Sequence, residues 1–480
     1  MAAKTIVSLC LAGCLWTLLT GCAAVGPDYL APELSAPAAW NGAPAAGISQ
    51  DSDPQVLANW WKTLNDPLLS ELMERAVAGN LDLKQAQSRV RQARAERGET
   101  QAATSPAVDA SGSFSRSRGS GSGAMSNLYR LGLDAGWELD VFGGLRRSVE
   151  AADARVEASE ADLRDVLVSL LGETALNYID VRTYQTQLTV AETNLKSLTE
   201  TYHLTSWRAE AGQIGQLDVE QARYNLEQTR AQIPGLKNSL NQAENALAVL
   251  LGVQPGALQS QLEERQPIPT PPSEVAVGVP AEALRQRPDI RKAERELAAQ
   301  TAQVGVATAD LYPKFSLSGS IGLEALSADG FLSANNRTWQ IAPGVSWNIF
   351  DAGRLRKKIE IQSALQEQSL LTYEATVLGA LQEVENALVA YAHEQERRGA
   401  LNLATGAALR ASDLARQQYA AGLIDFLSVL EAQRALLTLQ QQLAESEGLV
   451  TGNLVRLYKA LGGGWEPLTA QETIVQGDTL

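Results

Sequence analysis

The chain has 480 residues, 45% hydrophobic and 20% charged, with a formal net charge of −15 at pH 7. That balance excludes a nucleic-acid binder, which needs a basic face, and nothing in it resembles a disordered or disulfide-rich protein. Aromatics make up 5% and only two histidines occur, His203 and His393, so the composition favours long helices and argues against a His-rich metal site.

The first 21 residues set Lys4 ahead of an apolar run from Ile6 to Leu19. This is a charged start and an apolar core too short to span a bilayer, the form of a signal peptide. The run ends in Leu19-Thr20-Gly21-Cys22, which resembles the lipobox of bacterial lipoproteins. Small residues before the cysteine suit a peptidase, and the Cys22 thiol is the nucleophile that takes the lipid. Ala23 stands where an acidic residue would signal retention at the inner membrane, so the expected location is the outer membrane of a Gram-negative bacterium. Cys10 and Cys14 leave with the signal, and the one remaining cysteine allows no disulfide. The expected modification is a diacylglycerol and an N-acyl chain on Cys22, an anchor rather than a span; no other cofactor is implied.

Beyond a lipidated segment over 22–65, one plan is written twice. Trp137-Glu-Leu-Asp-Val-Phe-Gly143 matches Trp347-Asn-Ile-Phe-Asp-Ala-Gly353 at an offset of 210, which also joins Ala211-Gly212 to Ala421-Gly422 and Leu251-Gly252 to Leu461-Gly462. Earlier in each half the offset is 207, as in Pro106 to Pro313. The repeats cover 66–252 and 280–462, a Pro-rich linker over 253–279 joins them, and 463–480 form a tail.

Within the first repeat, Asp66-Pro67 is a helix start, with an acceptor at the N-cap and proline at N1. A helix to about Ala78 and another from Asp82 to about Ala103 follow. The second repeat starts at Pro280 and has a long helix from Asp289 to about Asp310. Strict alternation predicts strands over 108–115, 129–140, 315–323 and 338–349. Val108 and Phe114 alternate with Asp109 and Ser115; Leu131, Leu133 and Trp137 with Arg130, Asp134 and Glu138; Trp339, Ile341 and Val345 with Gln340 and Ser346. This is the pattern of an outer-membrane barrel, apolar toward lipid and polar toward a lumen. A soluble half-buried sheet gives the same alternation. Pro343 predicts a bulge or a weakly paired site. The hairpin tips, 117–127 and 324–336, read as solvent loops. Four strands cannot close a barrel, so the wall must be shared; two chains would give eight strands and three would give twelve.

Each hairpin leads into a helical stretch of some 65 residues, about 100 Å long, over 144–210 and 353–419. Leu167, Leu171, Thr174, Tyr178 and Val181 advance in alternating steps of 4 and 3, the spacing of coiled-coil packing. Each stretch turns at an Ala-Gly corner and returns over 217–251 or 427–461. The expected fold is mainly helical with a membrane β portion: hairpins 108–140 and 315–349, and helical hairpins 144–251 and 353–461.

With these residues in place, the sequence resembles the TolC-like outer-membrane efflux factors, in the lipoprotein branch of OprM and NodT type. The resemblance covers nearly all of the mature chain. It rests on Cys22-Ala-Ala-Val-Gly26-Pro27-Asp28-Tyr29, Trp60-Trp61, Asp66-Pro67-Leu68, Asn80-Leu-Asp82-Leu83, Arg287-Pro288-Asp289-Ile290-Arg291 and both corners. It implies a homotrimer in which a twelve-stranded barrel continues into a twelve-helix periplasmic tunnel. It also implies two protein partners, a periplasmic adaptor (membrane fusion protein) and an inner-membrane transporter of the RND class, with outer-membrane lipid around the barrel and no nucleic acid.

The resemblance assigns a periplasmic gate to Leu427 and Glu431, which are four residues apart and so share one helix face. Threefold symmetry would make a leucine ring that excludes water and a carboxylate ring that filters by charge. Glutamate replaces the family's usual aspartate at 431, and Ser428 stands where some relatives have a second aspartate. An acid near a helix start also compensates the helix dipole with no further role. The corners Ala211, Gly212, Leu217 and Asp218, and Ala421, Gly422 and Asp425, resemble the tips that meet the adaptor; the glycines are equally accounted for by turn geometry. The acidic balance implies an electronegative lumen that prefers cations. No enzymatic constellation is present: no free thiol, isolated histidines, no P-loop and no zinc-ligand spacing. The leading function is passive efflux of drugs or small toxic compounds through an iris-like gate. The alternatives are a secretion channel for protein or oligosaccharide, and a structural surface lipoprotein.

Overall fold

The computed structural model describes residues 24–33, 37–41, 48–49, 54–118, 125–272 and 275–465. The signal segment, Cys22 and the tail from 466 lie outside the described residues. In chain order the elements are β1 (Ile48–Ser49), α1 (Pro54–Ala58), a 3-10 turn (Trp60–Leu64), α2 (Pro67–Gly79), α3 (Leu81–Ala102), β2 (Ala107–Arg118) and β3 (Met125–Leu139). They continue through α4 (Gly144–Glu210), α5 (Gln216–Leu250), α6 (Gln259–Leu262), β4 (Val275–Ala276), α7 (Pro280–Gln286) and α8 (Pro288–Ala309). The last are β5 (Lys314–Ala325), β6 (Arg337–Ser346), α9 (Arg354–Ala420) and α10 (Phe426–Ala460). The chain forms two compact units, and neither corresponds to a sequence repeat: each draws segments from both halves.

The first unit holds 24–33, 88–161 and 291–376 and is built around a four-stranded antiparallel sheet in the order β2-β3-β5-β6. Val108, Leu131, Ile321, Trp339 and Ile341 are exposed on one face. The other carries Asp109 directly opposite Asp134, with the Ser111 hydroxyl donating to Asp134 at 2.7 Å. On the same face Arg130 pairs with Glu324 at 3.0 Å. The sheet departs from the sequence reading at the first tip, at Pro343 and at the end of β6, which stops at Ser346 and not 349. Alternation persists through polar residues, so β2 reaches Arg118 and β3 begins at Met125, shortening the first tip. Pro343 makes no bulge: it pairs in register with Leu317, because β6 is an edge strand, where a missing N–H is tolerated. A repeated device closes the helix end of the sheet. The Trp137 indole donates to Thr104 O at 2.9 Å and the Trp347 indole to Leu311 O at 3.0 Å.

In the second unit, 34–87, 162–290 and 377–465 of the described chain, helices pack around apolar stripes. Leu167, Leu171, Thr174, Tyr178 and Val181 on α4 are all 0% exposed, as the 4-3 spacing requires. Trp60 stacks on Tyr458 with ring centroids 5.6 Å apart. Asp66 caps α2 through the Leu69 N–H at 3.0 Å and accepts the Tyr178 hydroxyl at 2.7 Å. Burial foremost, and this carboxylate after it, push the Tyr178 phenol above its ordinary range. Arg182, 1% exposed, donates to Tyr178 Oη, Gln185 Oε1 and Glu264 O, so three hydrogen bonds hold its buried charge. The Pro-rich linker is less bare than its composition suggests: it contains α6, and β4 pairs in parallel with β1.

Where α2 meets the end of α5, two backbones touch. A Cβ on Gly252 would lie 2.3 Å from Gly79 O, and Gly252 has φ +70°. Gly256, at φ +88°, has open space around it. Gly252→Ala therefore incurs a backbone clash on top of the left-handed strain of about 1–3 kcal/mol, whereas Gly256→Ala incurs the strain alone. Thermal unfolding followed by circular dichroism should show the lower midpoint for the residue 252 variant; equal midpoints would remove the close contact.

Candidate gate and docking tips

The two corners fold the same way. Gly212 and Gly422, at φ +72° and +73°, each follow a long helix and close a Schellman turn. Gly212 N–H donates to Ala209 O at 2.9 Å and Gln213 N–H to Arg208 O at 2.9 Å. In the second corner Gly422 N–H donates to Tyr419 O at 3.0 Å and Leu423 N–H to Gln418 O at 2.9 Å. Ala211 and Ala421 are exposed beside them.

The return helices start differently. The N-cap of α5 is Gly215, with no side-chain bond, while the N-cap of α10 is Asp425. Asp425 accepts the Ser428 N–H at 3.0 Å and the Ser428 hydroxyl at 2.6 Å. Those two bonds, the hydroxyl's first, hold its carboxyl below the usual range. Asp425 is thus an exposed tip residue that also stabilises a helix start, and Ser428 is its partner. Asp218, in the first turn of α5, is half-buried, and Leu217 beside it is 70% exposed.

Leu427 and Glu431 lie on one exposed face of α10. The opposite face buries Phe426, Val429 and Leu430 against Tyr419 and Ala222, with Tyr202 packed alongside. This pair therefore points away from the chain's own packing. His203 is exposed on α4 and stacks against Trp207, and His393 is exposed on α9.

The structure adds residues that the sequence did not single out. The Arg208 guanidinium lies 4.6 Å from the Tyr419 ring centroid and donates at 3.3 Å to both Tyr419 O and Ala420 O, the last carbonyls of α9. A cation there also meets the negative end of the helix dipole. Further along, the two helical hairpins are joined by polar contacts. Arg434 Nε donates to Asn225 Oδ1 at 2.7 Å, Gln433 Nε2 to Thr201 Oγ1 at 3.2 Å and Asn194 Nδ2 to Gln440 Oε1 at 2.9 Å. They border a polar cleft of about 460 Å³ that includes Tyr224, Thr229, Ser412 and Arg416. Asn225 Nδ2 and Gln433 Oε1 are buried without a partner among the described residues. The available signal was Gln433 itself, an amide standing in the apolar stripe of Val429, Leu430 and Leu436.

In the first unit the chain just after Cys22 is pinned. Val25 N–H donates to Phe142 O at 3.0 Å, and Arg147, mostly buried, donates to Val25 O at 3.2 Å and Asp28 Oδ1 at 2.6 Å. Gly26, at φ +94°, passes so close to Gly305 that a Cβ would sit 2.4 Å from its Cα. Among the described residues no group of His, Cys, Asp and Glu could hold a metal ion.

The family model for "Outer membrane efflux protein" matches residues 72–253 and 279–463. The chain belongs to the outer membrane efflux protein family. It is 34% identical over 455 residues to Nodulation protein T of Rhizobium leguminosarum bv. trifolii, covering 94% of this chain and 96% of that protein. It is 33% identical over 457 residues to the solvent efflux pump outer membrane protein SrpC of Pseudomonas putida, covering 93% and 96%. Its fold matches the outer-membrane channel OprN with a TM-score of 0.87 and 37% identity, over 92% of this chain and 100% of that one. The fold is therefore TolC-like, and this efflux protein is a transport component of the Gram-negative outer membrane with a large periplasmic portion, not an enzyme. Among the described residues no helix is long and apolar enough to cross a membrane.

The Asp425 cap sets a pH dependence. Its carboxyl is held below the unfolded value of about 3.9, so its contribution is complete at neutral pH and is lost as pH falls through the lowered folded value. Hydrogen exchange at the Ser428 amide, corrected for intrinsic rates, should lose protection only in that acid range. Asp425→Asn should flatten the dependence; an unchanged profile would remove the cap.

Proposed function

We propose that three copies of this efflux protein assemble into a passive export conduit. Each supplies four strands to a twelve-stranded barrel and two helical hairpins to a periplasmic tunnel, which Leu427 and Glu431 constrict at rest. The reading rests on one observation above all: a four-stranded sheet with an apolar face and two open edges, β2 and β6, carried on helices of 67 residues. Such edges are not tolerated in lipid, so closure needs further copies. Leu427 and Glu431 lie clear of the chain's own core, as residues facing a shared axis would.

The corner residues Ala211, Gly212, Leu217, Asp218, Ala421, Gly422 and Asp425 form the tips offered to a periplasmic adaptor, and an RND-class inner-membrane transporter supplies the energy. When the adaptor docks, the half-satisfied polar contacts between the hairpins exchange partners and the constriction widens like an iris. Cys22 carries the diacylglycerol and N-acyl lipid, and the strap from Val25 to Asp28 holds that anchor against the first unit. The cargo is small toxic organic compounds, in keeping with the solvent efflux named for the Pseudomonas relative.

Single-channel recording in planar bilayers tests the gate. Leu427→Ala combined with Glu431→Ala should raise resting conductance several-fold, and the wild type should show a cation-selective reversal potential. Closed-state conductance unchanged in the double variant would reject these residues as the constriction. Deleting the gene should raise intracellular accumulation of dyes and antibiotics; unchanged accumulation would favour secretion or a structural role. Intact mass of the mature protein should carry the lipid increment, and Cys22→Ser should abolish it.

A further inference from the structure

The duplication extends to the pairing of the strands. Ser111-Gly112-Ser113 of β2 stand 207 residues before Ser318-Gly319-Ser320 of β5, and the end of β3 at Trp137 stands 210 before Trp347. Applied to the pairs of the first hairpin, these two offsets reproduce the pairs of the second along the whole of β6. Gly112 opposite Leu131 becomes Gly319 opposite Ile341, Phe114 opposite Tyr129 becomes Ile321 opposite Trp339, and Ala110 opposite Leu133 becomes Leu317 opposite Pro343. The hairpins are copies in register as well as in sequence.

Inside the chain the second strand of one hairpin lies against the first strand of the next. At this joint Leu131 faces Leu323, Leu133 faces Ile321 and Ala135 faces Gly319. One chain cannot make its counterpart, because β6 and β2 are the outer strands of the sheet. A barrel closes when its strands keep a fixed stagger, and the same two offsets carry the inner joint onto β6 and β2. Val345 then faces Gly112, Pro343 faces Phe114 and Ile341 faces Arg116 on the apolar face. On the other face Gly344 meets Ser113, Ala342 meets Ser115 and Gln340 meets Ser117. No two charges stand opposite each other. A slip of one residue would turn the apolar side chains of β6 against the polar phase of β2. A slip of two keeps the faces, and only the inner joint decides against it.

Pro343 shows how the edge is oriented. In an antiparallel strand the N–H and C=O of one residue serve the same neighbour, and successive residues alternate. Pro343 stays in register with Leu317, so its nitrogen, with no hydrogen to offer, is turned away from β5 and toward the open side. Its repeat position is Leu133, which faces Ile321 across the inner joint. The donor that Leu133 supplies to that joint has no equivalent at Pro343.

We propose that β6 of one copy pairs with β2 of the next in this register, Pro343 opposite Phe114, and that each seam is one backbone hydrogen bond short of the joint inside the chain. This rests on the shared-barrel reading and adds which residues meet and which joint is the weaker. A proline on the outer side also hinders stray strands from pairing there before assembly.

Oxidative crosslinking of the full-length protein tests the register. Ala342 and Ser115 would form a pair whose backbones do not bond each other, with Cα atoms about 4.5 Å apart and within disulfide reach. Diagonal neighbours, about 7–8 Å apart, fall outside it. Ala342→Cys with Ser115→Cys should therefore give reducible dimers and trimers, and the product should be lost when Ser113→Cys or Ser117→Cys takes the place of Ser115→Cys. Gln340→Cys with Ser117→Cys is a second pair in register. Asp134→Cys with Ser320→Cys, across the inner joint, sets the yield to be matched. Stronger crosslinking of residue 342 to 113 or 117 than to 115 overturns the register. Pro343→Leu restores the donor and should raise the temperature at which the detergent-solubilised trimer dissociates; an unchanged or lower temperature overturns the missing bond. Trimers in native mass spectrometry that crosslink in another register, or in none, refute only this seam. A wild type that stays monomeric refutes the channel reading itself.

Discussion

In hydrocarbon, a strand has no water to satisfy its backbone, so every N–H and C=O must find another strand. The sheet β2-β3-β5-β6 meets that demand internally and leaves it open along two edges. Most of the molecule's local chemistry follows from this. Polar side chains are kept to one phase, where they compensate each other, as Arg130 and Glu324 do. Proline is admitted only on β6, an edge strand. The strands exceed the minimum span of a tilted transmembrane strand, with 12 residues in β2 and 15 in β3.

Duplication supplies that sheet economically, because one hairpin plan is used twice, and the devices that fold it are duplicated too. Near the end of each second strand stands a tryptophan whose indole reaches back to the turn before the first strand. Both helical corners use a left-handed glycine in the same hydrogen-bonded turn. The halves diverge where they touch or where they differ in role. Arg208 stands at the repeat position of Gln418 and clamps the opposite corner; Gly215 stands at that of Asp425 and leaves its helix uncapped. Leu217 and Leu427 are equivalent in sequence and both exposed, yet only Leu427 is followed four residues later, on the same face, by an acid that points clear of the core.

What the sequence made legible was local or periodic. The 4-3 steps on α4 named a stripe that is fully buried, and Asp66-Pro67 marked a helix start that forms as a capped helix. The end of β6 was not legible. Alternation continues past Ser346 through Trp347 and Ile349, but the Trp347 indole is bound to Leu311 O and Asp351 caps the approach to α9, so the ladder stops. Nor could the linker show its pairing, since the partner of Val275 is Ile48, far earlier in the chain. The contacts joining the hairpins are the extreme case. Arg434 meets Asn225 only because two helices more than 200 residues apart run side by side, and no spacing along the chain encodes that.

The two ends of the second unit are held by different physics. Around Tyr178 and Arg182 apolar side chains are fully buried and Arg182 is held by three hydrogen bonds, so displacement would open a cavity and strand a buried cation. Near the corners the hairpins meet through amides, hydroxyls and one guanidinium beside a polar cleft, and two amide atoms already lack partners. Each such bond contributes about 0.5–1.5 kcal/mol net, because water replaces it readily. Separating the hairpins at the corners therefore costs little per contact, while separating them at Tyr178 costs the whole core. The contacts nearest Leu427 and Glu431 are therefore the weaker of the two sets that hold the hairpins together.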